Sequence, residues 1–531
     1  MTLRACFRAC WFRACRFSAL WLVTILLVAG AVAQSAPASP PVPVSPQSAP
    51  QAQQPAKVET GQFPANSSAQ PEPEKKITPE QAEQLLRSVD EILKFVSKDT
   101  GLPIKHPVKR QLADREQVWR YIQERMESDE DAQRLERSEI ELKKFGLLPR
   151  DFDLRTFLVE LLKEQVAGFY DAKTKTVYLL DWVAPEQQKP VLAHELTHAL
   201  QDQNYDMQEM TKRAKATAKL NGAQMLDSDE RLAALQALTE GQAMIVLLDY
   251  SMAPFGSSVA QQPQLVDAVG ASLSPASPGM AIFNRAPMFL QQSLLFPYRY
   301  GVAFERDLLL AGGKKKAFAE ALRYPPEDTR QIMEPKAYMQ REALPPLVPP
   351  DFEKLAPGYK TLDLSTMGQF DVMLLLTQYD SADVANQLSA DWRGGYSWAA
   401  LIPGGKDGEA HSTSELAIAY VSRWASADAA RQFAAIYSQA VPQRYREARK
   451  VQDQAASTPA SMTNDVPGAG VEADSARRPD DPVAWQTNEG MVTIETRGDL
   501  LLITESFDPA VGRDIRDAVL GRGAAAGAKH P

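Results

Sequence analysis

Cysteine is almost missing from this chain. Among 531 residues there are three, Cys6, Cys10 and Cys15, all ahead of residue 16. Everything beyond them must do without disulfides and without thiolate metal ligands. Histidine is nearly as scarce, with His106, His194, His198, His411 and His530 as the full set. Beyond the N-terminal segment no run reads as long and apolar enough to span a bilayer. An excess of positive charge is missing too: the formal net charge is −9, which argues against a nucleic-acid surface. What remains is ordinary for a globular protein, 44% hydrophobic and 24% charged, and long enough for two or three cored domains.

The first 33 residues read as an export signal. Arg4, Arg8, Arg13 and Arg16 form a positive n-region without acidic residues, Phe17 to Val32 is apolar, and Ala31-Val32-Ala33 fits a small-residue cleavage site. An uncleaved anchor is the rival reading, and the stretch is short for it. Cleavage leaves Gln34 first and a mature chain without cysteine, periplasmic or secreted, with no stable membrane span. Residues 34–76 are rich in Pro, Ala, Ser and Gln and read as a disordered tether.

Order is expected from Thr78-Pro79-Glu80-Gln81, where Thr78 suits an N-cap, Pro79 the first helical position and Gln81 a capping box. Leu85, Val89, Ile92, Leu93 and Val96 follow at helical spacing, and helical patterns continue to about Gln165. Gly168 to Asp171 and Thr176 to Leu180 read as a hairpin or strand. Helical patterns then dominate to about Leu344, with a looser stretch near 270–279. Pro345, Pro346, Pro349 and Pro350 mark a boundary between domains at 77–350 and 351–525. In the second, Leu416 to Trp424 reads as a strand, Ser426 as the cap of a helix to about Ser438, and 452–480 as a loose insertion. Arg497-Gly498-Asp499 reads as the turn of a hairpin. The fold class is α+β: a mainly helical domain with a small sheet, followed by a smaller α+β domain.

The chemistry is concentrated in Ala193-His194-Glu195-Leu196-Thr197-His198-Ala199-Leu200. On a helix His194 and His198 share a face, so both imidazoles can reach one ion. Glu195 can touch a zinc-bound water without ligating and take its proton, because zinc lowers the pKa of that water to about 7. A chance pair of histidines is the plain alternative, and with five in the whole chain it is a poor one. A third protein ligand is needed. Glu240 is the first candidate: it lies on an apolar stripe with Ala233, Ala237, Met244 and Leu247, where a lone carboxylate needs a partner. A basic side chain could be that partner instead. Gly241 and Ala243 beside it permit close approach of another helix. Glu230 is the rival ligand, although a capping box with Asp227 accounts for it without metal. Asp202 could orient an imidazole or be a solvated charge near the helix end.

His194-Glu195-Leu196-Thr197-His198 resembles the active-site helix of thermolysin-like zinc metallopeptidases, the gluzincins. The longer strings 193–203 and Glu240-Gly241-Gln242-Ala243 resemble an exported bacterial group of such peptidases, and the likeness extends to Phe296-Pro297-Tyr298, Pro325-Pro326 with Thr329, Gln331-Ile332, and Pro335 to Tyr338. It covers about half the chain. The resemblance implies a zinc ion on His194, His198 and Glu240, with Glu195 as general base and then acid. The chain also departs from the pattern. The gap to Glu240 is longer than in thermolysin-like enzymes, Met244 stands four residues beyond it, and no later histidine matches the one that steadies the transition state. Glu334 stands where the exported group often has a histidine. Tyr298 is the candidate for transition-state stabilisation, against a purely structural role. The strand near Tyr178 would hold an extended peptide by strand addition. The sequence therefore predicts an exported zinc metallopeptidase acting on protein or peptide substrates. Its rival is an envelope binding or scaffold protein of the same fold with vestigial catalysis.

Overall fold

The computed structural model describes residues 76–128, 138–165, 168–215, 219–220, 223–224, 228–272, 281–404, 411–451 and 481–526. The signal at 1–33, all but the last residue of the tether, Asp227, most of the 270–279 stretch and the 452–480 insertion lie outside the described residues.

Helix α1 spans Pro79–Thr100 and starts as its sequence dictates. The Thr78 hydroxyl accepts from the Gln81 amide, the Gln81 side chain accepts from the Thr78 amide, and Gly101 ends the helix in the left-handed region at φ 75°. Its buried stripe is Leu85, Val89, Ile92, Leu93 and Val96. Strand β1 (Lys109–Ala113) and helices α2 (Arg115–Ser128) and α3 (Leu154–Gln165) follow. Strands β2 (Phe169–Asp171) and β3 (Thr176–Leu180) form an antiparallel hairpin, and β1 joins β3 on its other side in parallel. Strand β3 is therefore central and paired on both edges. It has no free edge for a peptide, which corrects the strand-addition expectation at Tyr178.

Helix α4 (Pro185–Tyr205) carries the two histidines and has Pro185 in its first turn. Helix α5 (Ser228–Met252) crosses it. By length and composition α5 could cross a membrane, contrary to the expectation that no later run qualifies, yet its apolar window is 94% buried inside the protein. Met288–Phe296 continues through the π-helical turn Pro297–Gly301 into α6 (Val302–Lys314). That turn packs on α5 without room for a side chain. A Cβ on Gly241 would lie 2.2 Å from the Gly301 carbonyl oxygen, and one on Gly301 2.1 Å from that of Ala237.

The C-terminal part is a seven-stranded antiparallel sheet. Its strands are β4 (Lys360–Thr366), β5 (Trp392–Leu401), β6 (Leu416–Trp424), β7 (Ala448–Lys450), β8 (Val483–Thr487), β9 (Gly490–Arg497) and β10 (Leu500–Glu505), in the order β4-β5-β6-β10-β9-β8-β7. The β9–β10 hairpin turns at Gly498 with φ 61°. Ser426 caps the following helix, which runs through Pro442 to Arg444, further than the expected Ser438. Residues alternate between the faces along each strand. Ile418, Tyr420, Leu501 and Ile503 join the core of the helical part. Trp398, Val421 and Leu502 join a second core closed by Phe352 and by Ile515, Val519 and Leu520 of the last helix, Pro509–Ala526.

Across the proline-rich 345–350 segment the larger core is thus continuous. Phe296 packs against Phe370 with ring centroids 4.2 Å apart, and the Tyr379 hydroxyl donates to the Phe145 carbonyl.

Candidate metal centre

Helices α4 and α5 bring three side chains to one point. The Nε2 atoms of His194 and His198 are 3.1 Å apart. Glu240 presents one carboxylate oxygen to each, at 3.2 Å from His194 and 3.6 Å from His198. Among the described residues this is the one group of three His, Cys, Asp or Glu side chains gathered closely enough to hold an ion, with ligand atoms all within 4.8 Å of one another. Tetrahedral zinc with bonds of about 2.0–2.1 Å sets its ligand atoms about 3.3 Å apart, and the observed spacings straddle that value. No lysine or arginine pairs with Glu240 among the described residues, and its side chain is wholly buried. A carboxylate in that position calls for positive charge, so the donor set fits a divalent cation.

The surroundings fix the imidazoles. Gln201, three residues beyond His198, donates its amide to the Thr239 carbonyl at 3.0 Å and to Gln242 Oε1 at 2.8 Å. Its own oxygen must therefore face His198 Nδ1, 2.9 Å away. That ring nitrogen carries the proton and Nε2 is aimed at the cluster. Gln242 is held in turn by the Ala317 carbonyl. Gln201 was the residue that sequence reasoning missed; its i+3 spacing from His198 was the available signal.

Charge is balanced inside the pocket. Burial disfavours the charged form of His198, but the Glu240 carboxylate outweighs it and pushes the imidazole up to about 9. Burial likewise works against ionised Glu240, and the two histidines overcome it, bringing the carboxyl down to about 2. Burial lowers His194. Glu195, beside the cluster, is pushed up to about 8, first by burial and then by the negative charge of Glu240, against the charge of His198 and the Tyr170 amide. That amide, on β2, donates to Glu195 Oε2 at 2.7 Å.

Asp202 takes neither expected role. It accepts from the Tyr170 hydroxyl and the Lys175 ammonium, both at 2.6 Å, and from the Met207 amide at 3.2 Å. It is buried, and it ties the hairpin to the end of α4. Glu230 is also buried, and its Oε2 accepts from the amide and hydroxyl of Thr329, at 2.8 and 2.6 Å. The ligand group does not include it. More than a capping residue, it anchors the segment that meets Phe370, whose amide donates to the Thr329 hydroxyl at 3.3 Å. Tyr298 is buried in the π-helical turn packed on α5. Met244, where thermolysin-like enzymes have an aspartate, is a core residue. Glu334 pairs with Arg330 at 3.3 Å.

A model of the family Peptidase_M78, described as the IrrE N-terminal-like domain, matches residues 149–240. The matched segment begins just ahead of α3 and ends on Glu240, so it includes both histidines and both glutamates. It supports a zincin-like metallopeptidase-type domain in this part of the chain. No curated protein and no solved structure matches the chain.

Proposed function

We propose that the chain is an exported zinc-dependent metallopeptidase of gluzincin-like plan, with His194, His198 and Glu240 as metal ligands and Glu195 as general base. The observation that carries this reading is the convergence of three buried donors at tetrahedral spacing beside a fourth, unligated carboxylate. A zinc ion there would supply Lewis acidity, polarising a carbonyl and making water acidic near neutral pH.

The chain's own residues account for the rest. Burial pushes Glu195 up to about 8, and the positive charge of an ion on the three donors would favour its carboxylate, the form able to take a proton and return it to a leaving amine. Gln201 fixes the face that His198 presents. An extended substrate would lie along β2, because β3 is closed on both sides. Tyr298 is the residue proposed to steady negative charge on the substrate, and export rests on the N-terminal charge pattern, the apolar run and Ala31-Val32-Ala33.

A second reading has an observation in its favour. His194, Glu195, His198 and Glu240 are at most 3% exposed, and Glu195 is tied to the Tyr170 amide. A metal-holding scaffold or regulator without turnover would look the same, and the matched family includes non-catalytic and regulatory members. Metal analysis of the full chain, together with cleavage of a peptide library, separates the two. About one zinc per chain with cleavage abolished by Glu195→Gln supports the peptidase. Zinc without cleavage supports the scaffold.

A further inference from the structure

Away from the metal centre, two cavities of about 400 and 440 Å³ lie where the 140–150 segment meets the C-terminal part. Lys143, Arg150 and Arg444 line both. The first also takes Arg446, and against these four cations its wall has one carboxylate, Glu489. In a chain of net charge −9 this is a local reversal of sign.

Glu489 is already shared. It accepts from Arg150 at 2.6 Å, from the Thr413 hydroxyl at 2.9 Å and from the fully buried Lys144 ammonium at 3.3 Å. Lys143 pairs with Glu139, and Arg444 with Glu505 at 2.5 Å. Arg446 has no ion pair among the described residues. The Arg444 side chain is 3% exposed, and its Nη groups are spent on Glu505 and the Lys144 carbonyl, so it lends the cleft charge rather than a free donor. A solvated basic face would leave such groups in water. Here they line a cavity, and Arg446 stands there with no ion pair among the described residues to meet its charge. The Ser412 hydroxyl, bonded to Ser414 at 2.8 Å, adds a donor that can turn inward.

We propose that this cleft binds a small organic anion through a phosphate or carboxylate group, with Arg446 and Lys143 supplying the charge and Arg150 and Ser412 the remaining donors. Guanidinium groups match both anions in geometry, and about 400 Å³ is the size of a small-molecule site. The walls come from the 140–150 segment on one side and from the sheet part on the other. A bound anion therefore clasps the two parts together and stabilises the whole chain by mass action. The site shares no residue with the metal centre, so either assignment can fail without the other.

The test is calorimetric titration of the metal-free full chain with inorganic phosphate and, separately, with succinate, using chloride at matched ionic strength as the blank. Saturable binding of one anion per chain is expected, with a rise in Tm, and the anion that binds more tightly identifies the group. Arg446→Gln and Lys143→Gln should each weaken binding about tenfold. Arg446 is exposed, so that variant keeps the fold and suffices if the other does not. Heat no greater than the chloride blank with both anions, or unchanged affinity in Arg446→Gln, overturns the proposal.

Discussion

The Tyr170 amide donates to Glu195 across 25 residues of sequence, at 2.7 Å, and the bond points away from β3. A strand's outward N–H is what an extended peptide would use in adding to β2. In this structure the proposed base occupies it. On the proposed function, a peptide substrate and Glu195 would compete for one donor, and an arriving peptide carbonyl would release the carboxylate as it docks.

Glu195→Gln tests the base without disturbing that bond. The amide oxygen can still accept from Tyr170, but the side chain cannot take a proton at neutral pH. We expect about one zinc per chain, an unchanged Tm within about 0.5 kcal/mol of stability, and loss of turnover by a factor of about 10² or more. Full activity in this variant would remove the hydrolytic mechanism.

The third ligand is tested by two glutamates on one helix. Glu240→Ala should lose the metal and, with it, any activity, as should His194→Ala and His198→Ala. Glu230→Ala should keep the metal while losing stability by about 2–3 kcal/mol, because the Thr329 amide and hydroxyl lose a buried charged acceptor. That cost exceeds the roughly 1 kcal/mol of a helix cap. Zinc retained by the first variant and lost by the second would reverse the assignment.

Gln201→Leu removes the acceptor for His198 Nδ1 without touching a ligand. Zinc affinity should fall about 10–100-fold, with the metal still bound when supplied in excess. An unchanged zinc Kd would mean that the ring is oriented by its packing alone.

The clustering of His194, His198 and Glu240 was legible because helix periodicity is local: spacing four on α4 and a lone carboxylate on an apolar stripe of α5 are both visible in one dimension. The Thr78 cap and the Gly498 turn were legible for the same reason. Long-range pairings were not. Nothing near Glu230 in sequence announces Thr329, and nothing near Asp202 announces Tyr170 and Lys175, so both acids were assigned to local roles. Strand β3 looked like an edge because β1, its parallel neighbour, reaches it from more than 60 residues upstream. A change of periodicity after residue 350 can be read in the sequence, but a shared core cannot be read from periodicity. The division into 77–350 and 351–525 remains a proposal about chain organisation, with Phe296, Phe370, Glu230 and Thr329 filling the seam.

Gly241→Ala probes how the Glu240 helix is seated. The added methyl would meet the Gly301 backbone, which cannot swing aside as a side chain can. A loss of about 1–3 kcal/mol is expected from overpacking, together with weaker zinc binding as α5 shifts beneath Glu240. Chemical denaturation and a zinc titration on the same preparation measure both. A variant as stable as the parent would show that the π-helical turn yields easily.

The last prediction concerns Asp249, on α5 beyond the site. Its Oδ1 accepts from the Val259 amide at 2.6 Å, and its other neighbour is Asp99, which Lys314 holds at 2.6 Å. Burial, and then the Asp99 charge, push Asp249 from its ordinary 3.8 up to about 7. The folded chain therefore keeps this proton to a higher pH than the unfolded chain does. The stabilisation is full below pH about 4 and is lost as pH rises towards 7, at up to about 1.4 kcal/mol per pH unit. Asp249→Asn copies the protonated form, with an oxygen for Val259 and an N–H for Asp99. It should match the parent near pH 4 and exceed it in stability at pH 8, as read by urea denaturation at each pH. Equal stabilities at pH 8, or a variant weaker there, would show that Asp249 ionises at its ordinary pKa in the folded protein.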